Sequence, residues 1–290
     1  VNQRKKLSDK GGDDCDILLM TATPIPRTLT MTIYGDMDIS IIREKPKLRR
    51  PIKTYSKLES KIEDVIKFIK KEINLDNQIF WVCPLIEESK KIDHTSAVKK
   101  FKFLDKIFPS KVTLLHGKTN PEEKDIILND FLNKKSKILV STTIIEVGID
   151  FPNANLIIIE NSNKFGLAQL HQLRGRVGRG KIKSDCILLH HNDLSDRGLQ
   201  RLVVMKNSND GFFIAEQDLL IRGSGEIFGV KQTGLPSWKF FNPYKDMDFL
   251  EDVRLHSKKM ASDNFTNKKQ KDFLTSIFFQ NKQIENYFTG

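Results

Sequence analysis

Four stretches of this chain, 78–83 (QIFWVC), 137–141 (KILVS), 156–160 (LIIIE) and 185–190 (DCILLH), are apolar almost from end to end. They are too short for helices, and they lack the strict alternation of a strand with one wet face. Strands buried on both faces read this way, and a sheet covered on both faces is as a rule parallel. Weaker runs at 16–21, 52–56 and 112–115 complete the expected strands. Between them Ile62, Val65, Ile66, Ile69 and Ile73 return at helical spacing, with lysines on the other side. Asn120-Pro121-Glu122-Glu123 opens another helix, with Asn120 as N-cap, Pro121 in the first turn and Glu123 three residues after the cap. Its apolar side is Ile127, Phe131 and their neighbours. Strand and helix in alternation predict an α/β fold: a mostly parallel sheet covered by helices.

Charge narrows the partners. The 290 residues carry a formal net charge of +11, which favours a polyanion, because lysine and arginine on phosphates release condensed counterions. Cys15, Cys83 and Cys186 are odd in number and far apart in sequence, without zinc or redox spacing. Cys83 and Cys186 sit in apolar runs, where a buried free thiol is expected, and a reducing, cytosolic setting fits best. His190 and His191 follow a strand-like run and are expected to mark its end, with no second ligand group at metal spacing. The opening residues VNQRKKLSDKGGDD have no apolar core, and no apolar run approaches a membrane span.

Pro46 to Pro51 (PKLRRP) is a basic, proline-bounded link, expected to separate two domains. From about Leu199 the chain changes character, and 207–234 is rich in glycine and polar residues without strand periodicity. The last fifty residues read as helical and lysine-rich.

Gln172-Leu173-Arg174-Gly175-Arg176-Val177-Gly178-Arg179 carries the most chemistry. Its glycines let backbone close on a ligand, and its guanidiniums supply planar charge of the kind that stabilises a phosphoryl-transfer transition state, by roughly 10³–10⁵ in rate. The block matches Q-x-x-G-R-x-G-R and resembles the last motif of superfamily-two helicases. Ser141-Thr142-Thr143 leading to Gly148-Ile149-Asp150 similarly resembles motif V, Thr21-Ala22-Thr23 resembles motif III, and His116-Gly117 with 78–88 resembles the motif IV region. Gly117-Lys118-Thr119 imitates the end of a phosphate-binding loop, but the leading glycine is replaced by Val112 within a strand run, so no cradle of backbone donors is expected. Glu160 imitates a metal-holding acid; it has no adjacent acid and reads as a structural or coupling residue.

In order and wording, TATPIPRTL, HGKTNPEEK, TTIIEVGIDFPNA, FGLAQLHQLRGRVGRG and SNDGFFIAEQDLLIRGSGEIFGVKQTG resemble the RecG branch of these helicases over residues 16–235. The nearest rival is the transcription-repair coupling translocase Mfd. The resemblance implies a RecA-like helicase C-terminal domain with a helical hairpin and loop extension. The implied division is 1–45 as the end of a first RecA-like domain, 46–195 as the second, 196–240 as a translocation hairpin and loop, and 241–290 as a helical tail. It further implies catalytic roles for Gln172, Arg176 and Arg179, nucleotide contact at Gly148, Asp150 and Gly175, and nucleic-acid contact at His116, Gly117, Thr142 and Thr143. Coupling would fall to Thr21, Thr23, Arg222, Glu226 and Gln232. ATP with Mg2+ is the implied cofactor, with no metal-ligating set within the chain, and branched DNA (forks, Holliday junctions) the implied partner of a monomeric, nucleoid-associated enzyme. No Walker loop is legible, so the main ATP-binding loops are expected upstream of Val1 and the chain alone is expected to be inactive. A non-catalytic, helicase-derived DNA-binding module stands as the competing reading.

Overall fold

The computed structural model describes residues 40–44, 50–84, 90–117, 119–142, 151–180 and 182–222, together with Leu18, Met20, Thr21 and a few residues between 249 and 259. Two compact units are distinguished: Arg43–Ile221 is one, and Val1–Ile42 with Arg222–Gly290 the other. Nearly all of the described structure belongs to the first.

That unit is built on six parallel strands: β1 (Lys53–Leu58), β2 (Gln78–Val82), β3 (Val112–Leu115), β4 (Ile138–Ser141), β5 (Ala154–Ile159) and β6 (Asp185–His190). They lie in the order β1-β6-β5-β2-β4-β3, so β2 and β5 are central. Side chains along a strand point alternately to opposite faces. Ile79, Trp81 and Cys83 therefore join one core with Ile138, Val140, Leu156 and Ile158, while Phe80 and Val82 join the other with Leu139, Ile157 and Ile159. Helices α1 (Ile62–Asn74) and α2 (Lys90–Ile107) cover the first face. Helices α3 (Pro121–Leu132), α4 (Leu167–Arg174), α5 (Asp196–Asn207) and α6 (Gly211–Arg222) cover the second. Each fully buried Ile, Leu or Phe contributes about 1.5–3 kcal/mol by leaving water.

Local signals explain the helix ends. On α1, Val65, Ile66, Ile69 and Ile73 are buried as their spacing requires. Asn120 caps α3, its Oδ1 accepting from the Glu123 N–H at 2.7 Å, with Pro121 at the first helical position. Both α1 and α3 end in the same reversal. Asn77 N donates to Glu72 O and Asp76 N to Ile73 O, with Asp76 at φ 62; Lys135 N donates to Asp130 O and Lys134 N to Phe131 O, with Lys134 at φ 61. These are Schellman closures in which a non-glycine residue takes the left-handed position. The two left-handed residues are themselves ion-paired, Lys134 to Asp76, and Lys137 joins the same carboxylate.

The strands at 78–83, 112–115, 137–141 and 185–190 are found within a residue of expectation. β1 runs two residues past its expected end at 56, and β5 starts two before its expected start at 156, because both extend the ladder with their neighbours. Of the expected strand 16–21 only Leu18, Met20 and Thr21 are described, and none is in a strand; a strand needs a laddered neighbour, which local sequence cannot report. The stretch without strand periodicity from 207 begins with α6. Asp210 caps it, Oδ1 accepting from Phe212 N at 2.9 Å, and Ile214 is buried beneath it.

Candidate functional site

In a parallel sheet all strand starts share one edge and all strand ends the other. This geometry sorts the motif residues. β4 ends at Ser141, and Thr142 follows it on the carboxyl edge. Phe151, the first described residue after motif V, lies on the amino edge just ahead of β5, its carbonyl accepting from Ala154 N at 3.0 Å. Residues 143–150 connect the two edges, and Thr143, Gly148 and Asp150 lie outside the described residues. Ser141 and Thr142 follow a strand, as the sequence implies, and the described chain resumes at Phe151 on the opposite edge.

Phe151 fixes that exit. Its ring is 5.5 Å from Phe80 and 5.4 Å from Phe131, centroid to centroid, with Phe80 and Phe131 also 5.4 Å apart. All three are buried.

Motif VI arrives at the same amino edge. Helix α4 starts after β5 at Gly166, whose N–H donates to Gln169 Oε1, and packs Leu167, Leu170 and Leu173 into the core. Gln172 stays exposed in its last turn, and Gly175 is its C-cap. Arg176 is half-buried, and Arg179 is exposed with a long contact from Nε to Gly175 O of 3.5 Å. Two glycines shape the turn that carries them. Gly178 has φ +74, and a Cβ there would stand 2.9 Å from Ile52 Cγ1. A Cβ on Gly180 would stand 2.9 Å from the backbone oxygen of Pro152, so the end of motif VI lies directly against the exit of motif V.

At the carboxyl edge, Cys83 N donates to Ser141 O at 2.8 Å, joining the end of β2 to that of β4. Among the described residues the buried Ser141 and Thr142 hydroxyls have no hydrogen-bond partner. Such groups cost about 1–3 kcal/mol each when unsatisfied, so they are rarely left without purpose. His116 and Thr119 close a tight turn after β3: Thr119 N donates to His116 O at 3.0 Å and His116 N to Thr119 Oγ1 at 3.2 Å. Gly117 lies inside this turn, and Val112 does stand at the start of a strand, so the Gly117-Lys118-Thr119 sequence is not a phosphate-binding loop.

Glu160 is a structural hub. It is buried at the end of β5, where Lys100 Nζ reaches Oε1 at 2.8 Å and Trp81 Nε1 and Cys83 Sγ donate to Oε2 at 3.3 and 3.4 Å. Lys100 also lies 5.1 Å from the Trp81 ring centre. Burial first, and then the Glu160 charge, push the Cys83 thiol far up, and it stays a neutral donor. Burial likewise pushes Cys186 up to about 12. Both thiols are buried and free, as expected. His190 ends β6, and folding brings Glu59 from the end of β1 to within 2.9 Å of His191 Nδ1, a pairing that their separation in sequence hides. Among the described residues no group of three His, Cys, Asp or Glu could hold a metal ion.

The remaining expected site residues are Thr21, which is exposed, Arg222, which ends α6, and Thr23, Glu226 and Gln232, which lie outside the described residues. Three residues that local pattern did not single out belong with the site: Phe151, Gly180 and Arg174. Arg174 is 2 % exposed, whereas Gln172 and Arg179 are exposed and Arg176 is half-buried. Its position one helical turn after Leu170 and two after Leu167 was the available signal for burial.

The family model "Helicase conserved C-terminal domain" matches residues 60–181, which run from just before α1 through motif VI and take in β2 to β5. The chain is 45% identical over 268 residues to the ATP-dependent DNA helicase RecG of Bacillus subtilis, and 46% identical over 256 residues to that of Thermotoga maritima. These alignments take in 91% and 88% of this chain. A solved structure of RecG bound to a three-way DNA junction superposes on 81% of the chain, with TM-score 0.64 and 43% identity. The chain belongs to the RecG family. It spans 39% of the Bacillus relative, 33% of the Thermotoga relative and 30% of the chain in the junction structure. The sheet and its covering helices thus have the RecA-like fold of the helicase conserved C-terminal domain. No helix among the described residues is long and apolar enough to cross a membrane.

Proposed function

We propose that this chain supplies the second motor domain, with the start of the translocation hairpin, of an ATP-dependent enzyme that moves on double-stranded DNA and remodels branched DNA. The observation that carries the reading is the meeting of motif VI with the exit of motif V at one edge of the sheet, in a chain 43% identical to a RecG bound to a three-way junction. In this reading the amino edge faces the nucleotide. Arg176 and Arg179 reach the transferring phosphoryl group, Gln172 and Gly175 support them, and Gly148 and Asp150 line the same site. A glycine-held loop with two guanidiniums suits a triphosphate, since such donors bind phosphate oxygens and help to neutralise developing charge. Guanidiniums are not metal ligands, so Mg2+ would be held by the phosphates and by residues other than these.

The carboxyl edge is the nucleic-acid side. Thr142, Thr143, His116 and Gly117 would meet backbone phosphate, and the unsatisfied Ser141 and Thr142 hydroxyls keep hydrogen-bonding capacity there. A net charge of +11 favours the same partner. Coupling is assigned to Thr21 and Thr23 ahead of the 46–51 link, and to Arg222, Glu226 and Gln232 after α6. The domain division is 1–45, 46–195, 196–240 and 241–290, and the protein acts as a monomer in the bacterial cytosol on nucleoid DNA.

The test is ATP hydrolysis by the complete protein, with and without a three-way junction, alongside junction unwinding. Stimulation by the junction together with strand displacement is the expected result. Binding should also weaken with salt, at a slope of about −0.9 per phosphate neutralised. Junction binding without any ATP turnover would favour the non-catalytic module, and a flat salt response would remove DNA as the partner.

A further inference from the structure

Motif VI contains three arginines, and folding treats one of them differently. Arg174 points into the protein. Its Nη1 donates to Met205 O and Ser208 O, both at 2.8 Å, and lies 3.2 Å from Thr54 Oγ1. Its Nη2 is 3.2 Å from His171 Nδ1, one turn back along α4. Met205 and Ser208 are the last turn and the C-cap of α5, the first helix of the hairpin. A helix C-terminus has unpaired carbonyls and the negative end of the backbone dipole, so it is a natural seat for a cation. That compensates in part for taking a guanidinium out of water, a burial that lowers its pKa from the ordinary arginine value.

Simple packing would not require this arrangement. Leu170, Leu173, Leu202 and Met205 already bury α4 and α5 in one core. A leucine in place of Arg174 would extend that core without burying charge. What an arginine adds is direction: a planar fork that fixes the end of α5 against the end of α4, two residues before Arg176.

We propose that Arg174 is a positioning residue that fastens the motif VI helix to the end of α5, so that nucleotide-driven displacement of Arg176 and Arg179 is passed to the hairpin. It does not touch the nucleotide; it acts through the helix that presents the arginines which do. The inference rests on the motor reading above and adds to it the path by which one side chain links turnover to movement.

The experiment measures, in the complete protein, the strand displacement obtained per ATP hydrolysed on a three-way junction. Arg174→Gln removes the charge and the fork, and should lower that ratio by about tenfold or more. Arg174→Lys keeps the charge and one bond, and should recover part of the loss. Thr54→Val removes the β1 partner alone and should leave the ratio near that of the unmodified protein. The inference is overturned if Arg174→Gln leaves the ratio unchanged, if turnover and displacement fall in equal proportion, if Arg174→Lys recovers nothing, or if Thr54→Val matches Arg174→Gln. Should Arg174→Gln fail to fold, spin labels at Gln169 and Lys206 in a protein that keeps Arg174 provide the second reading. Their separation should stay constant between the nucleotide-free and ATP-analogue states, and a nucleotide-dependent change overturns the proposal. Absence of any junction-stimulated turnover in the unmodified protein is a different result, which removes the motor reading itself.

Discussion

The two faces of the sheet are packed equally well but to different ends. On the α1–α2 face the core is largely isoleucine with Trp81, and its buried charge, Glu160, is matched inside the protein by Lys100, Trp81 and Cys83. On the α3–α6 face the core is richer in phenylalanine, and buried side chains hold the motif segments to it: Phe151 at the exit of motif V, Leu173 and Arg174 in motif VI. One face closes upon itself. The other face is where the segments that carry motifs V and VI are held, and the contrast teaches that burial there sets position as well as stability.

The largest effect that would sharpen this contrast is on turnover. Arg179→Ala in the complete protein should lower DNA-stimulated ATP hydrolysis by roughly 10³-fold or more while leaving the melting temperature nearly unchanged. Normal turnover in a steady-state assay would remove the arginine from the reaction.

Next in size is a paired comparison of cores. Phe151→Ala should cost about 3–5 kcal/mol and Ile69→Ala about 2–5 kcal/mol by urea unfolding, since both leave cavities among fully packed neighbours. Only Phe151→Ala should also reduce turnover per folded molecule; an equal loss from Ile69→Ala would erase the distinction between the faces. Lys100→Met, which leaves the Glu160 carboxylate without its cation, should cost about 3 kcal/mol with turnover per folded molecule retained.

Gly180→Ala is smaller in stability and sharper in function. Its methyl group would meet the Pro152 oxygen, so about 1–3 kcal/mol of strain should appear in unfolding, with turnover reduced as motifs V and VI are pushed apart. The smallest effect concerns Asp76. Hydrogen bonds first from Lys134 and then from Lys137 hold its carboxyl at about 2, below the ordinary value of 3.8. A carboxylate whose folded pKa is depressed stabilises the fold above its ordinary range and loses that contribution as pH falls from about 4 toward 2. Asp76→Asn should therefore show a slightly shallower acid limb in a circular-dichroism titration, with no change in turnover at neutral pH.

Much of the site could be read from residues alone. Gln172, Gly175, Arg176 and Arg179 stand out because glycine and guanidinium recur there at the fixed spacing of motif VI, and spacing is a property of the chain. The same is true of the Asn120 cap and of the isoleucines of α1. Arg174 lay in the same block, where helical spacing hinted at its burial, but its acceptors could not be read there, because they come from β1 and from the end of α5, 31 and 34 residues further on. The Glu59–His191 pair and the Glu160 hub were hidden for the same reason.

Period and spacing therefore determined the fold class, the strands and the family of this chain, since backbone periodicity and motif chemistry are local. Only the folded sheet decided that Phe151 and motif VI share the amino edge while Thr142 and His116 stand at the other. It alone decided which arginine turns inward. The physical reason is that strand order and helix packing bring together groups tens of residues apart, and contacts of that range are chosen by burial over the whole core.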